Sequence, residues 1–299
     1  MSALTLKQLR YFEALAAQGH FGRAAAVVAI SQPALSMQIK ELEDSLGTLL
    51  FERSARQVRL TPFGEVFAPR AREILRAVDE VTDLARLTQG GALTRLRLGI
   101  IPTIAPYLLP RVIAALGQTH PGLDLRLRES VTQTLLDDLD AGRLDAAIVA
   151  LPISEPALTE MTLLEEEFVL VRPRADADSP IPSPAALREM RLLLLEEGHC
   201  FRDQALSFCQ MPDTQPKEML DGSTLSTLVQ MVGSGIGVTL IPDMAVAVET
   251  ASAPVSIARF PGSQPRRTVG MVWRQSSALG AALTQVGQTL RDAARIDPA

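Results

Sequence analysis

The sequence has little of what builds disulfide frameworks or membrane segments. Its 299 residues include two cysteines, and in a reducing compartment such a pair favours a transient or redox-sensing disulfide over a structural one. No uninterrupted apolar run approaches the roughly 18 residues that span a bilayer. The first residues lack a charged start followed by an apolar segment, so no export signal is visible. These absences exclude a secreted disulfide scaffold and predict a cytoplasmic protein without a membrane partner.

Aromatic residues are also scarce, at 4% of the chain, although hydrophobic residues make up 47%. That composition is typical of a globular protein, and the length suggests two or three folding units. The net charge of −5 argues by itself against a nucleic-acid partner, yet residues 1–76 carry ten Lys and Arg against seven Asp and Glu. This balance of +3 leaves −8 for the remainder. A slightly basic N-terminal part on an acidic body is a mild indication of a DNA-binding head on a regulatory domain.

The first sixty residues have the pattern of three short helices. Apolar residues recur at helical spacing up to Gly19, and an alanine-rich second helix is predicted over residues 21–28. Ser31 is a good N-cap and Pro33 falls in the first turn that follows, so a third helix should run to about Leu46. Two helices joined by a tight turn, the second opening with short polar residues, predict a helix-turn-helix.

The third helix and the segment after it supply the predicted DNA contacts. In a helix-turn-helix, the N-terminal residues of the second helix of the motif meet base edges in the major groove. The residues at this position are Ser31, Gln32, Pro33, Ala34, Ser36, Gln38 and Lys40. The following segment alternates and predicts a two-stranded wing, whose arginines would hold phosphates; these are Arg53, Arg56 and Arg59. From spacing alone, a helical bundle with solvated polar positions is the alternative.

A long amphipathic helix is predicted next. Thr61 and Pro62 form a helix start signal, and Gly90 is the predicted end. The apolar stripe between them consists of Phe63, Phe67, Ile74, Val78, Val81 and Leu84. Because a helix this long cannot cover its stripe alone, a second copy from another subunit is the natural partner. Packing of the helix on its own effector domain is the alternative.

From about Arg95 short apolar strands alternate with helices, which predicts an α/β domain with mainly parallel sheets. Strand candidates are residues 96–101, 123–127, 146–150, 168–171, 192–195, 238–241, 255–259 and 268–273, and helix candidates are 107–116, 132–141, 183–190 and 223–233. If the last strands return to the first half, the domain has two lobes, residues 92–165 plus 268–299 against 166–267. Binding sites in such domains lie at the carboxyl ends of strands, where segments 101–103, 130–132 and 198–200 would converge.

Cys200 lies among groups that favour a thiolate, with His199, Arg202 and Asp203 beside it. Cys209 is a candidate resolving partner. If the intervening residues are helical, nine residues separate the two cysteines by roughly 13 Å, whereas a disulfide needs Cα atoms within about 7 Å. Disulfide formation would therefore require this helix to melt. Buried inert thiols are the alternative.

The stretch from Ala24 to Glu43, followed by Leu46-Gly47 and Leu50-Phe51-Glu52-Arg53, resembles the winged helix-turn-helix of LysR-type transcriptional regulators. The resemblance implies an N-terminal all-α winged helix-turn-helix over residues 1–61, a dimerisation linker helix over 62–90, and a regulatory domain over 91–299. That last domain would be a two-lobed, periplasmic-binding-protein-like α/β domain with a ligand cleft. Further implications are homodimer to homotetramer assembly, double-stranded promoter DNA as partner, and no enzyme activity, cofactor or metal.

Two stretches, residues 97–110 and 198–209, resemble more closely the peroxide-sensing members of that family. The resemblance implies that Cys200 is oxidised by hydrogen peroxide to a sulfenic acid and that Cys209 condenses with it to a disulfide. The residues expected to bind the peroxide or tune the thiol are Thr103, Thr132, His199, Arg202 and Asp203. Antioxidant genes would be activated, and a glutaredoxin-type or thioredoxin-type reductant would restore the thiols. RNA polymerase is a further candidate partner.

Three other functions remain to be weighed against peroxide sensing. A LysR-type regulator could respond to a small metabolite in the cleft, with the cysteines incidental. A thiol peroxidase would turn over peroxide catalytically, but the N-terminal DNA-binding pattern counts against it. A periplasmic solute-binding protein fits neither that pattern nor the missing export signal.

Overall fold

The computed structural model describes residues 4–53, 58–88, 93–183, 186–196, 198, 200–208, 221–262 and 264–294. The chain divides into two compact units, Met1–Ala85 and Arg86–Ala299.

The first unit is a winged helix-turn-helix followed by a long helix. Its elements are α1 (Leu6–Gln18), α2 (Phe21–Val27), α3 (Gln32–Leu46), β1 (Phe51–Arg53), β2 (Val58–Leu60) and most of α4 (Pro62–Thr88). The Ser31 hydroxyl accepts a hydrogen bond from the Ala34 N–H, and α3 ends at Gly47 with a left-handed φ of 69°. β1 and β2 pair antiparallel. The predicted helices, N-cap and wing are therefore confirmed.

A small apolar core holds α1, α2 and α3 against the start of α4. The rings of Phe12 and Phe67 meet edge to face with centroids 4.9 Å apart. The buried Glu43 carboxylate accepts the backbone N–H groups of Leu50 and Phe51 at 2.9 and 3.1 Å. Because those residues lead into β1, this carboxylate fixes the wing to α3, and its own burial is compensated by the two hydrogen bonds.

The apolar side chains of α4 divide between two environments. Ala68, Ala71 and Leu75 are buried in the core of the first unit, and Phe67 packs against it. A second set is exposed in the single chain and consists of Phe63, Val66, Ile74 and Val81. These positions follow one another at intervals of three, eight and seven residues, so they lie along one side of the helix. The predicted helix end at Gly90 lies outside the described residues.

The second unit contains fifteen named elements in its described part. They are β3 (Arg95–Ile100), α5 (Ala105–Thr119), β4 (Asp124–Glu129), α6 (Thr132–Asp140), β5 (Ala146–Leu151), β6 (Leu158–Pro173), β7 (Leu194–Leu195), α7 (Cys200–Phe208), β8 (Asp221–Gly222), α8 (Leu225–Gly233), β9 (Thr239–Pro242), α9 (Val246–Glu249), β10 (Val255–Ala258), β11 (Arg266–Arg274) and α10 (Gly280–Ala294). The α/β class is confirmed.

The strand directions correct the expectation of mainly parallel sheets. β3 is parallel to β4 and β5, but β11 is antiparallel to β5 and β6, and β6 is antiparallel to β9 and β10. The path through the large sheet is β10-β6-β11-β5-β3-β4. No helix separates β5 from β6 in the sequence of elements, and the late strand β11 lies between them in the sheet, antiparallel to both. The prediction was wrong because it rested on the alternation of strands and helices along the chain, which does not reveal that a late strand returns to the middle of the sheet.

Two smaller expectations also change. The helix predicted over residues 183–190 is a short 3₁₀ turn at Ala186–Glu189. The strand predicted over residues 192–195 is reduced to β7, preceded by a single parallel bridge between Leu192 and Val238.

The apolar core of the second unit falls into two clusters. The first cluster consists of buried residues in two parts of the chain, Leu93 to Leu163 and Val269 to Leu290. The second cluster takes residues from between Phe168 and Phe260. α10 belongs to the first cluster, where Leu283, Val286 and Leu290 are fully buried. The segment after Trp273, for which the sequence offered no motif, therefore completes a core.

Candidate functional site

Thr103 follows β3 and is almost completely buried, with 2% of its surface exposed. Arg267, near the start of β11, donates from Nη1 to the Thr103 hydroxyl at 2.8 Å and from Nη2 to the Thr103 carbonyl at 3.0 Å. One guanidinium thus holds both the side chain and the backbone of this residue. The fork geometry of arginine suits such a two-point contact.

The Arg267 guanidinium is itself paired with a buried carboxylate. Glu166 on β6 and Arg267 are partners in the β-sheet register, and Nε of Arg267 lies 2.6 Å from Oε1 of Glu166. The two side chains are 6% and 0% exposed. Burial raises the pKa of Glu166 above its usual range, although the neighbouring Arg267 charge opposes that shift. Separating Glu166 from Arg267 would leave a buried charge without its partner, which is costly. The pair therefore holds the Arg267 guanidinium in a fixed position.

Two aromatic rings cover the guanidinium. Cζ of Arg267 lies 5.9 Å from the ring centroid of Phe168 and 5.8 Å from that of Phe201. The rings also meet each other edge to face, with centroids 4.8 Å apart. Phe201 is the second residue of α7, so this contact brings the start of α7 to the residues that hold Thr103.

Cys200 is the first residue of α7 and is partly buried. Its side chain packs against the first cluster, whereas the next residue, Phe201, belongs to the second cluster. The thiol therefore lies where the two clusters meet. The first turn of a helix presents unpaired N–H groups and the positive end of the helix dipole, and Cys200 lies at that turn of α7.

Arg202 ties α7 to the strand before it. Its Nη1 donates to the carbonyl of Leu195 at 2.8 Å, and this contact anchors the helix to the end of β7. Of the other predicted residues, His199 and Cys209 lie outside the described residues, and the description of Asp203 is limited to its backbone within α7. Their predicted roles remain predictions.

Thr132 begins α6, and its hydroxyl oxygen is buried without a hydrogen-bond partner in the described part of the chain. The side-chain oxygen of Gln204, one turn after Cys200 in α7, has the same status. A buried polar atom that lacks a partner costs about 1–3 kcal/mol. The two oxygens therefore have hydrogen-bonding capacity that no described residue uses.

Arg267 and Glu166 were not predicted as site residues from the sequence. They are separated from each other by 101 residues and from Thr103 by 164 and 63 residues, and no motif spacing connects them. An arginine at the edge of an apolar strand, Thr268–Trp273, was the one available signal. Across the described part of the chain, no three His, Cys, Asp or Glu side chains come together in a way that could hold a metal ion.

An open groove of about 780 Å³ lies beside this site and shares Glu166 with it. Its lining includes Tyr107 and Pro110 of α5, Glu166 of β6, and Met244 and Val248 near α9, but not Cys200. The lining also contains acidic and basic residues. The acidic ones are Glu165, Glu167 and Asp243, and the basic ones are Arg111 and Arg266.

The predicted DNA contacts form one end of α3. Ser31, Gln32, Pro33 and Lys40 are exposed, whereas Ala34, Ser36 and Gln38 are half-buried. Gln38 donates to Glu41 at 2.7 Å, so its amide is already engaged. Arg59 is exposed on β2, Arg56 lies outside the described residues, and Arg53 is described by its backbone alone.

The sequence of the two units decides the family. Residues 6–65 match the family model described as bacterial regulatory helix-turn-helix protein, lysR family, and residues 89–295 match that of the LysR substrate binding domain. The chain belongs to the LysR family. Members of this family are DNA-binding transcriptional regulators, and the two units correspond to its DNA-binding and regulatory domains.

Relatives within the LysR family are similar over almost the full length. A probable hydrogen peroxide-inducible genes activator of Streptomyces viridosporus is 43% identical over 296 residues, which cover 97% of this chain and 95% of that protein. A full-length OxyR variant of Pseudomonas aeruginosa is 37% identical with a TM-score of 0.76, covering 97% and 96% of the two chains. A peroxide-bound OxyR variant of Corynebacterium glutamicum is 35% identical with a TM-score of 0.64, covering 98% and 94%.

Among the helices that the structure describes, none combines the length and the apolar character that a membrane span needs.

Proposed function

We propose that this chain is a transcriptional regulator that senses hydrogen peroxide through Cys200 and switches the expression of antioxidant genes. One observation carries the proposal. The Cys200 thiol begins α7 where the two apolar clusters meet, and the adjacent Phe201 packs on the same guanidinium that holds Thr103. The names of the relatives, which are peroxide-inducible activators and OxyR proteins, support this function.

The chemistry would take two steps. The Cys200 sulfur attacks one oxygen of hydrogen peroxide, the O–O bond breaks, and the leaving oxygen departs as water after taking a proton, which leaves a sulfenic acid. The Cys209 thiol then attacks the Cys200 sulfur, and a second water leaves as the disulfide forms. Thr103 and Thr132 would bind the peroxide through their hydroxyls, and His199, Arg202 and Asp203 would stabilise the thiolate or orient donors.

The second step would require a change of fold. Cys200 and Phe208 are the two ends of α7, and Cys209 follows directly. Continued as a helix, that spacing holds the cysteines roughly 13 Å apart, about twice the Cα separation that a disulfide allows. Oxidation would therefore unwind α7, and the unwound segment would carry the signal to the rest of the regulatory domain.

The wider proposal concerns assembly and DNA. Residues 1–61 would bind promoter DNA through α3 and the wing, residues 62–90 would pair two subunits, and 91–299 would sense peroxide. Within the last domain, residues 92–165 plus 268–299 and residues 166–267 would form two lobes around the first and second clusters. The regulator would act in the cytoplasm as a homodimer to homotetramer, contact RNA polymerase, and be restored by a glutaredoxin-type or thioredoxin-type reductant.

A titration of the purified protein with sub-stoichiometric peroxide tests this function. The wild type should form the Cys200–Cys209 disulfide and change its DNA footprint, whereas Cys200→Ser should do neither. The matched control, Cys209→Ser, should stop at the sulfenic acid. A Cys200→Ser protein that still switches its footprint would contradict the proposal and favour a metabolite regulator, and sustained peroxide turnover would favour a peroxidase.

A further inference from the structure

Phe201 is the largest side chain that α7 buries. It is 1% exposed and stands among the largest fully buried side chains of the described chain. Among the side chains of α7 that the structure describes, Ala205 and Leu206 are also buried. A helix of nine residues is too short to be stable by itself in water, because most helical stability in proteins comes from packing. The burial of Phe201 is therefore a main reason that α7 exists as a helix.

The groups around Phe201 belong to strands. Its ring meets Phe168 of β6 with centroids 4.8 Å apart and lies 5.8 Å from Cζ of Arg267 on β11. Arg267 and Glu166 face each other in the register of β11 and β6. These strands hold their side chains by sheet pairing that does not involve α7, so this half of the contact stays in place if the helix unwinds.

We propose that Phe201 is the positioning residue that sets how readily the Cys200–Cys209 disulfide forms. This inference rests on the proposed function. The ring contacts with Phe168 and Arg267 exist only while α7 is helical, so they stabilise the dithiol form and not the disulfide form. Their strength thereby determines the oxidant level at which the switch changes state.

The covalent steps show where this resistance acts. Hydrogen peroxide oxidises Cys200 to the sulfenic acid with cleavage of the O–O bond, and α7 can remain folded. In the second step the Cys209 thiol attacks that sulfur and water leaves, and the two Cα atoms must approach to within about 7 Å. Because the helix cannot meet that limit, Phe201 leaves its place between Phe168 and Arg267 in this step.

Redox titration of the full-length protein measures the effect. Wild type and Phe201→Leu are equilibrated in glutathione buffers, and the disulfide fraction is counted by mass after alkylation of free thiols. Loss of the aromatic and cation–π contacts should raise the equilibrium constant for disulfide formation on the order of tenfold. For a two-electron couple this lowers the reduction potential by about 30 mV.

Two matched variants separate this role from general destabilisation. Phe208→Leu makes the same change at the other end of α7, where a half-buried ring meets Phe260 with centroids 5.0 Å apart, and should lower the potential less. Ile241→Val, buried in β9 of the second cluster, should lower the free energy of unfolding and leave the potential unchanged. Phe201→Met serves as the second variant if Phe201→Leu does not fold.

Each result decides between distinct conclusions. A Phe201→Leu protein with lowered stability and the wild-type potential means that Phe201 stays buried in both states, which overturns the inference. A larger shift in Phe208→Leu than in Phe201→Leu means that the C-terminal end of α7 moves instead, which also overturns it. A wild type that forms no disulfide in any buffer refutes the proposed function itself.

Discussion

At the scale of single residues, the site depends on one guanidinium with several partners. Arg267 contacts the Glu166 carboxylate and both oxygens of Thr103, and each of these groups is buried. In such surroundings a missing acceptor is costly because no bulk water replaces it. The Thr103 hydroxyl would therefore serve two purposes, as acceptor from Arg267 and as a donor to a bound peroxide.

Thr103→Val tests both purposes. The substitution removes the hydroxyl and leaves Nη1 of Arg267 without that acceptor, so we expect a loss of about 1–3 kcal/mol in the free energy of unfolding. Oxidation of Cys200 by peroxide should slow as well. Urea unfolding and stopped-flow oxidation measure the two effects. Thr103→Ser keeps the hydroxyl and is the control; equal oxidation rates for Thr103→Val and wild type would remove Thr103 from the peroxide site.

At the scale of elements, α4 has an uncovered apolar side. Phe63, Ile74 and Val81 are 43%, 43% and 67% exposed in the single chain, while the opposite side of the helix is buried in the core of the first unit. A row of apolar side chains along a helix is typical of a surface that binds a second helix. Two copies of α4 are the proposed partners.

Val81→Asp is expected to weaken that dimer. In a symmetric pair the change introduces two carboxylates into one apolar interface, and neither has a cationic partner from this stripe. The dissociation constant should rise at least about tenfold, which corresponds to about 1.4 kcal/mol. Sedimentation equilibrium gives the constant. Glu73→Gln changes the charge by one on an exposed position of the same helix and should have no effect; unchanged dimerisation of Val81→Asp would place the interface elsewhere.

At the scale of the whole regulatory domain, a polar contact joins elements of the two clusters. The Tyr107 hydroxyl on α5 donates to one Glu249 oxygen at 2.6 Å, and the Ser226 hydroxyl on α8 donates to the other at 2.6 Å. α5 contributes mainly to the first cluster and α8 to the second. Burial raises the pKa of Tyr107 above its usual range, and the hydrogen bond to Glu249 adds to that shift.

That shift predicts a pH dependence of stability. The folded state holds the Tyr107 proton more tightly than the unfolded state does, so the contribution is complete below the ordinary tyrosine pKa of about 10 and is lost as pH rises above it. The free energy of unfolding should therefore decline more steeply above pH 10 in the wild type than in Tyr107→Phe. Urea titrations between pH 8 and 11 measure both slopes, and identical slopes would mean that Tyr107 ionises as easily in the folded protein.

The sequence by itself determined the helices and the wing of the first unit. Ser31, Pro33 and Gly47 fix the ends of α3 through contacts within a few residues, and Thr61 caps α4 in the same way. Helix caps of this kind can be predicted from the sequence because the capping residue and the backbone groups it binds lie within a few positions of each other.

Only the tertiary structure decided how the regulatory domain is arranged. β11 lies between β5 and β6 and runs antiparallel to both of them, and the same strand brings Arg267 to Glu166 and Thr103. The second unit's C-terminal helix likewise acquires its role by packing into a distant cluster. These contacts join residues that are a hundred or more positions apart in the sequence. They form because the folded sheet buries its apolar faces, and that burial depends on the whole domain and cannot be predicted from a short stretch of sequence.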